Sequence, residues 1–326
     1  MKPVIAVTVG DYNGIGPEVV LKSILRPAVR RRCSPVLVGP AAAFEHAARM
    51  MRIPLGRLSV PIIEPRLTGR CVVRPGHLSA HAGAAAAAAI REAVRMTMEG
   101  TASALVTAPV SKQALHRAGV QFPGQTEFLQ HLTRARGVAM LLASHTLRVG
   151  LATIHLPLRA VPSNLTQSLL VRRLKILDDA LHIDWRISKP RIAVLGLNPH
   201  AGEEGELGME ERRLILPAIV RLRRAGLRLD GPFPADAFFA RKRQDAYDAV
   251  FAMYHDQGLI PLKMSARGRA VNVSLGLPIV RTSPDHGTAF DIAGKGVAEP
   301  ASMIEAIFLA LAIARNRAIS ARRGLS

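Results

Sequence analysis

Cysteine is almost missing from this chain of 326 residues: only Cys33 and Cys71 occur, in no CxxC pair. That excludes a disulfide framework and agrees with a reducing compartment. Aromatic residues make up only 4%, and acidic residues are outnumbered 24 to 44 by lysine and arginine, for a net charge of +20. No stretch approaches the roughly 20 uninterrupted apolar residues of a membrane span; the runs Ala84–Ala89 and Phe308–Ala314 are short and bordered by Arg91 and Arg315. Met1 leads straight into the strand-like Val4–Val9, without the charged and apolar regions of a signal peptide. The expectation is a soluble, cytoplasmic protein with no membrane partner. An arginine excess also suits phosphate neutralisation on nucleic acid. Here, however, the arginines are scattered over many segments with few aromatics between them, and they read as solvated helix faces. A nucleic-acid-binding α/β protein with idle histidines is the competing class; it requires salt-sensitive duplex binding without metal uptake.

What is abundant is apolar residue, 49% of the chain. At this length that is enough for about two domains with substantial cores. Strand-like runs alternate with helical patterns: Val4–Val9, Pro35–Val38, Ala104–Thr107, Ala139–Ala143, Gly150–Ile154, Ile192–Leu197 and Ala249–Met253. The alternation predicts a largely parallel α/β architecture. Leu170, Leu174, Leu177 and Leu181 mark the core stripe of a helix over Thr166–His182, behind the cap-like Ser163 and Asn164. A last helix, Ser302 to about Arg317, carries Ile304, Ile307, Leu311 and Ala314 on one face.

Three histidines stand in compact polar motifs, each just beyond a strand-like run: His155 in Thr-Ile-His-Leu-Pro-Leu-Arg, His200 in Leu-Asn-Pro-His-Ala-Gly-Glu, and His255 in Met-Tyr-His-Asp-Gln-Gly. Open α/β sheets present ligands at such strand ends. The spacings are too long for a zinc finger or an HExxH helix, so only the fold could gather these imidazoles on one metal ion. A single histidine at a strand end is more often a hydrogen-bonded structural residue. Three in equivalent contexts favour the metal.

Other polar corners surround this core. Gly10-Asp11-Tyr12-Asn13-Gly14-Ile15-Gly16-Pro17-Glu18 allows a tight strand-to-helix turn, with Pro17 suited to a first helical position, but it is not GxGxxG. Thr107–Lys112 is a second such corner, followed by Phe122-Pro123-Gly124-Gln125-Thr126-Glu127, where Thr126-Glu127 alone reads as helix capping. The densest segment, Tyr254–Gly296, offers His255, Asp256, Lys263, Asn272 and Arg281, the outline of an anionic pocket. Arg281 ends the apolar run Leu277–Val280. In His286-Gly287-Thr288-Ala289-Phe290-Asp291-Ile292-Ala293-Gly294-Lys295-Gly296, glycine-rich backbone can wrap a nucleotide. Asp291 can accept from both ribose hydroxyls while repelling a 2′-phosphate, which favours NAD over NADP.

Through these motifs, above all Tyr-His-Asp-Gln-Gly and Asn-Pro-His-Ala-Gly-Glu, the chain resembles the 4-hydroxythreonine-4-phosphate dehydrogenase family of vitamin B6 biosynthesis over nearly its whole length. The Asp291 loop also looks like the nucleotide loop of isopropylmalate dehydrogenases. The resemblance implies two α/β/α domains with a central cleft, isopropylmalate dehydrogenase-like: 1–122 plus 280–326 on the nucleotide side, and 123–279 for metal, substrate and dimerisation. It implies NAD-dependent oxidation and decarboxylation of 4-phosphooxy-L-threonine to 3-amino-2-oxopropyl phosphate by a homodimer that shares its sites between subunits. His155, His200 and His255 match the metal ligands; three imidazoles suit Zn²⁺ or Co²⁺ better than Mg²⁺. Thr126, Lys263, Asn272 and Arg281 match substrate contacts, with Gln125 where the family has histidine, and His286, Gly287, Thr288, Ala289 and Asp291 match the coenzyme loop. Asp256 and Lys263 are the candidates for proton handling. Tyr12-Asn13 also departs from the family's Pro-Ala. The same chemistry on D-threonate or D-erythronate 4-phosphate, or on a cis-dihydrodiol carboxylate, is the alternative.

Overall fold

A computed structural model of the protein describes residues 2–54, 59–122 and 124–322. Pro123, where the second predicted domain begins, and the C-terminal residues from Arg323 onward lie outside the described residues. The chain separates into two compact units, Met1–Ala135 with Leu277–Arg315, and Arg136–Gly276 with Asn316–Ser326.

The first unit opens with β1 (Val4–Thr8), α1 (Gly16–Ile24), α2 (Pro27–Arg32), β2 (Ser34–Val38), α3 (Ala41–Met50), β3 (Ile62–Ile63), α4 (Ala80–Met98), β4 (Ala104–Thr107), α5 (Lys112–Arg117) and α6 (Gln125–Thr133). In the second unit follow β5 (Ala139–Ala143), β6 (Arg148–Leu151), α7 (Val161–Asn164), α8 (Gln167–Ile183), β7 (Arg191–Leu195), α9 (Leu216–Arg224), β8 (Arg228–Phe233), α10 (Ala235–Ala240), β9 (Ala249–Ala252), α11 (His255–Ala266) and β10 (Val271–Leu275). The chain then returns to the first unit through β11 (Arg281–Pro284) and most of α12 (Ala301–Arg322).

The first unit's strands run in the order β3-β2-β1-β4-β11, all parallel, with Thr8 opposite Thr107 and Arg281 opposite Leu105. In β1 and β4, Ile5–Val7 and Ala104–Val106 are buried on both faces, as parallel strands covered by helices require. The second unit's strands run β10-β5-β6-β9-β7-β8; β5 pairs antiparallel with both β10 and β6, and the rest are parallel. One face of this sheet packs Leu142, Val149, Leu195, Val250, Leu259 and Leu262 into a continuous core.

The expected α/β alternation is present, with several local differences. Ile154 and Leu197 fall outside β6 and β7, so His155 and His200 sit on loops a few residues past their strands. Leu277–Val280 is not a strand: the apolar run leads into β11, which begins at Arg281 itself. The cap of α8 is Thr166, whose hydroxyl accepts from Leu169 N at 3.1 Å, while Ser163 and Asn164 belong to α7. Gly124 caps α6, so Thr126 lies within the helix instead of capping it. On α12 the fully buried residues are Met303, Ala306, Ile307, Ala310 and Ile313, a face rotated about one residue from the expected one.

Candidate active site

In the first unit, β1, β4 and β11 are parallel, so the loops that leave their C-terminal ends open on one edge of the sheet. These are the Gly10–Glu18, Thr107–Lys112 and His286–Gly296 motifs, and the backbone locks them together. Asp11 N donates to Pro109 O at 2.8 Å, and Ile15 N donates to Thr288 O at 2.9 Å. A Cβ on Gly14 would lie 2.7 Å from Thr288 O, so only glycine allows that approach. The far end of the Asp291 loop is pinned by Glu18, which accepts from Ala298 N at 2.7 Å and from Lys22 at 2.8 Å, while Lys22 Nζ donates to the carbonyls of Gly296 and Ala298. Within the loop, Ala289 takes a positive φ of 42°, Asp291 is exposed, and the buried His286 Nε2 has no hydrogen-bond partner among the described residues. Orphaned donors and strained backbone of this kind cluster where ligands bind.

Tyr12 and Asn13, the departures in the first loop, both have structural partners. Tyr12 OH meets His81 Nδ1 at 2.8 Å, and Asn13 receives Arg74 N on its side-chain oxygen and donates to His77 O, each at 2.8 Å. Asp11 beside them is fully buried, and burial pushes its carboxyl up to about 6.

Arg281 is the largest fully buried side chain, 2% exposed. Its guanidinium donates twice to Thr107 Oγ1, at 3.1 and 2.7 Å, and once to Gln125 Oε1 at 3.0 Å. Burial pulls its pKa down to about 10. Gln125 therefore acts as an acceptor that orients the guanidinium, a role a histidinium cannot fill. Thr126, next along α6, is also buried. Sequence reasoning grouped Gln125, Thr126 and Arg281, and the fold places Arg281 against Gln125; Thr107 as the hinge of the set was missed, though it stood in a flagged motif.

In the second unit, His155 and His255 have ring centroids 5.9 Å apart and line one pocket of about 240 Å³ with Thr153, Leu158, Tyr254 and Asp256. His155 is held at a positive φ of 44°. His255 begins α11, and its Nδ1 lies 2.7 Å from Asp256 Oδ1, an arrangement in which the carboxylate favours the tautomer that carries the proton on Nδ1 and leaves Nε2 as the nitrogen that could hold a metal. The donor chemistry of this pair fits a divalent ion of the zinc or cobalt type. Among the described residues, no three His, Cys, Asp or Glu side chains converge as a metal site would require, so within one chain His200 does not join the pair. Lys263 is exposed two turns along α11, and Asn272 lies on β10 with a buried side-chain oxygen that has no hydrogen-bond partner among the described residues.

His200 is presented by an unusual backbone. His200, Ala201, Gly202, Glu203 and Glu204 all have positive φ, from 40° to 85°, a left-handed turn. Each non-glycine residue in that conformation costs roughly 1–2 kcal/mol. Nothing in the sequence apart from the glycine announced this turn.

The family described as pyridoxal phosphate biosynthetic protein PdxA matches residues 31–310. A 4-hydroxythreonine-4-phosphate dehydrogenase of Geobacter metallireducens is 44% identical, covering 96% of this chain and 96% of that protein. The crystal structure of the enzyme of that name from Klebsiella pneumoniae, 40% identical, superposes with a TM-score of 0.85 over 96% of this chain and 98% of that one. A terephthalate 1,2-cis-dihydrodiol dehydrogenase of Burkholderia xenovorans is 30% identical with a TM-score of 0.65, covering 96% and 98%. A further likeness, of fold alone, is to isocitrate dehydrogenase of Methylococcus capsulatus, 15% identical with a TM-score of 0.51 over 98% of this chain and 88% of that one. The fold is thus the one shared with the isocitrate and isopropylmalate type of dehydrogenase, and the chain belongs to the PdxA family of pyridoxal phosphate biosynthetic proteins.

Proposed function

We propose that this protein oxidises the C3 hydroxyl of 4-phosphooxy-L-threonine with NAD and releases CO₂ to give 3-amino-2-oxopropyl phosphate, a step in vitamin B6 biosynthesis. Within a chain of this family, the observation that carries the reading is the His155–His255 pair lining one pocket, with His255 oriented by Asp256. A divalent ion bound there, Zn²⁺ or Co²⁺ ahead of Mg²⁺, would supply Lewis acidity to the hydroxyl, and NAD would accept the hydride from C3.

The chain's own groups take the remaining roles. Arg281 and Thr126, both buried, are assigned to the substrate phosphate, with Gln125 holding the guanidinium in place. Lys263 and Asn272 are further substrate contacts. Asp256, through His255, and Lys263 are the candidates to take the hydroxyl proton as hydride leaves. Decarboxylation then breaks the C1–C2 bond of the β-keto acid, leaving its electron pair as an enolate that is protonated at C2. The first unit is assigned the coenzyme, through His286, Gly287, Thr288, Ala289 and Asp291, with NAD preferred to NADP because Asp291 repels a 2′-phosphate. The second unit is assigned the metal and self-association; the exposed Leu158, Ile260 and Met264, 69%, 60% and 76% exposed, support a homodimer. A second copy would then supply the third imidazole, His200. The proposed location is the cytoplasm, with small-molecule partners and no nucleic acid.

Purified protein is expected to reduce NAD in the presence of Zn²⁺ or Co²⁺ and 4-phosphooxy-L-threonine, and to restore growth of a B6 auxotroph. Turnover confined to D-threonate or D-erythronate 4-phosphate, or to a cis-dihydrodiol carboxylate, would overturn the substrate assignment.

A further inference from the structure

The left-handed turn that carries His200 is built around one side chain outside it. Glu211, only 3% exposed, opens a π-helical turn, Glu211–Ile215, and aims its carboxylate back at the turn. Oε1 accepts from Leu197 N at 2.6 Å and Asn198 N at 2.8 Å; Oε2 accepts from Asn198 Nδ2 at 2.9 Å. Asn198 Nδ2 also donates to Glu210 Oε2 at 2.8 Å. Two glycines make room for this carboxylate: a Cβ on Gly196 would lie 3.0 Å from Oε1, and a Cβ on Gly202 2.7 Å from Oε2. The acceptors thus fix the residues just before the turn, while Gly202 lets the turn close over them. A run of left-handed residues persists only where its surroundings over-determine it, and here they combine the turn's own backbone bonds, Ala201 N to Asn198 O and Leu207 N to Gly202 O, with one buried carboxylate from outside it.

We infer that Glu211 is the positioning residue that sets the direction of the His200 imidazole, and so the affinity and geometry of the metal site. The inference rests on the reading of His200 as a ligand. Glu211 itself touches neither substrate nor ion; it acts through the backbone of residues 197–202.

Glu211→Gln is a selective lesion. The amide keeps one oxygen for the two backbone donors but turns an NH₂ toward the Asn198 amide, donor against donor. The test titrates Co²⁺ alone into wild type, E211Q, H200A and the double variant, reading affinity by calorimetry and coordination by the visible cobalt spectrum, with thermal melts as the check on folding. Altered support of a ligating histidine typically weakens metal binding 10–100-fold. E211Q is expected to lose that much, to shift its cobalt spectrum toward that of H200A, and to add nothing further in the H200A background, the non-additivity of two residues acting through one interaction. Should E211Q give no folded protein, Asn198→Ala, which removes only the side-chain bonds, reads the same quantity with the same expected direction. Wild type and H200A differing while E211Q binds Co²⁺ like wild type, or a loss in E211Q that adds fully to that of H200A, would overturn the inference alone. Wild type taking no Co²⁺, or H200A binding it as wild type does, would overturn the metal reading and the inference with it.

Discussion

Replacing Arg281 by methionine separates what the guanidinium does for a ligand from what it does to the fold. The side chain is 2% exposed, and burial holds its pKa near 10, well below the ordinary arginine value. A displacement of that size corresponds to about 3 kcal/mol of preference for the unfolded state at neutral pH, because the cation is less favourable in the fold than in water. The sign follows from the depressed folded value: the penalty applies in full below about pH 10 and fades only as pH rises from there toward the ordinary arginine value. Methionine, similar in length, removes it. The substitution also leaves Thr107 Oγ1 and Gln125 Oε1 without the donors they now have, at about 1–3 kcal/mol. The two effects nearly cancel, so R281M should melt within a few degrees of wild type.

Ligand binding should respond very differently. Two charge-assisted hydrogen bonds to a phosphate, each about 1.5–3 kcal/mol, would be lost, so KM for the phosphorylated substrate should rise roughly 100-fold or more. In the same melts, inorganic phosphate should raise the Tm of wild type but not of R281M. A large fall in Tm with an unchanged KM would refute the argument, since it would make Arg281 a structural residue that the fold needs and the substrate does not.

Asp256→Asn removes the charged acceptor of His255 Nδ1 and should weaken Zn²⁺ binding about 10–100-fold, measured by calorimetry, with little change in Tm because Asp256 is exposed. Gln125→Glu places an anion beside Arg281 and should raise KM for the phosphorylated substrate while raising Tm in its absence. Asp11, fully buried and titrating near 6, is raised above its unfolded value, so the stability it contributes is complete below about pH 4 and is lost as pH rises through 6; Asp11→Asn should therefore stabilise the fold at pH 7.5 by up to about 3 kcal/mol relative to wild type, read as a higher Tm, with the gain gone at pH 4. Gly14→Ala forces a methyl group to within 2.7 Å of Thr288 O and should weaken NAD binding, read by fluorescence titration, more than it lowers Tm.

Much of this was legible from residue order alone, for identifiable reasons. Ala104–Thr107 and Ala139–Ala143 were readable as strands to the residue because they are short aliphatic runs bounded by turn formers. β8, Arg228–Phe233, was not, because Asp230, Gly231 and Pro232 interrupt any apolar pattern. β11 was hidden differently: Arg281-Thr282-Ser283-Pro284 reads as a polar loop, yet all four residues are buried. A strand built from arginine, threonine and serine contradicts the usual correlation of polarity with surface, and the contradiction resolves only once Thr107, Ser302 and the Ala306 carbonyl are seen to take up hydrogen bonds around it.

The site divides along the same line. Candidate chemistry-bearing side chains could be proposed from sequence, because histidine, aspartate and arginine recur there in compact glycine- and proline-bounded motifs. What positions them could not be named, because positioning is done by residues with many uses. Glu18 and Glu211 are two glutamates among the chain's acidic residues, and only their burial and their backbone donors distinguish them. Each fixes a segment with positive-φ residues, the Ala289 loop in one case and the His200 turn in the other. Strain costs stability locally, so a sequence that keeps it must also keep a group that holds it in place, and a buried carboxylate facing backbone N–H groups is among the strongest such groups available. By that logic, buried carboxylates that accept from loop backbone mark which loops this protein must hold in a single conformation.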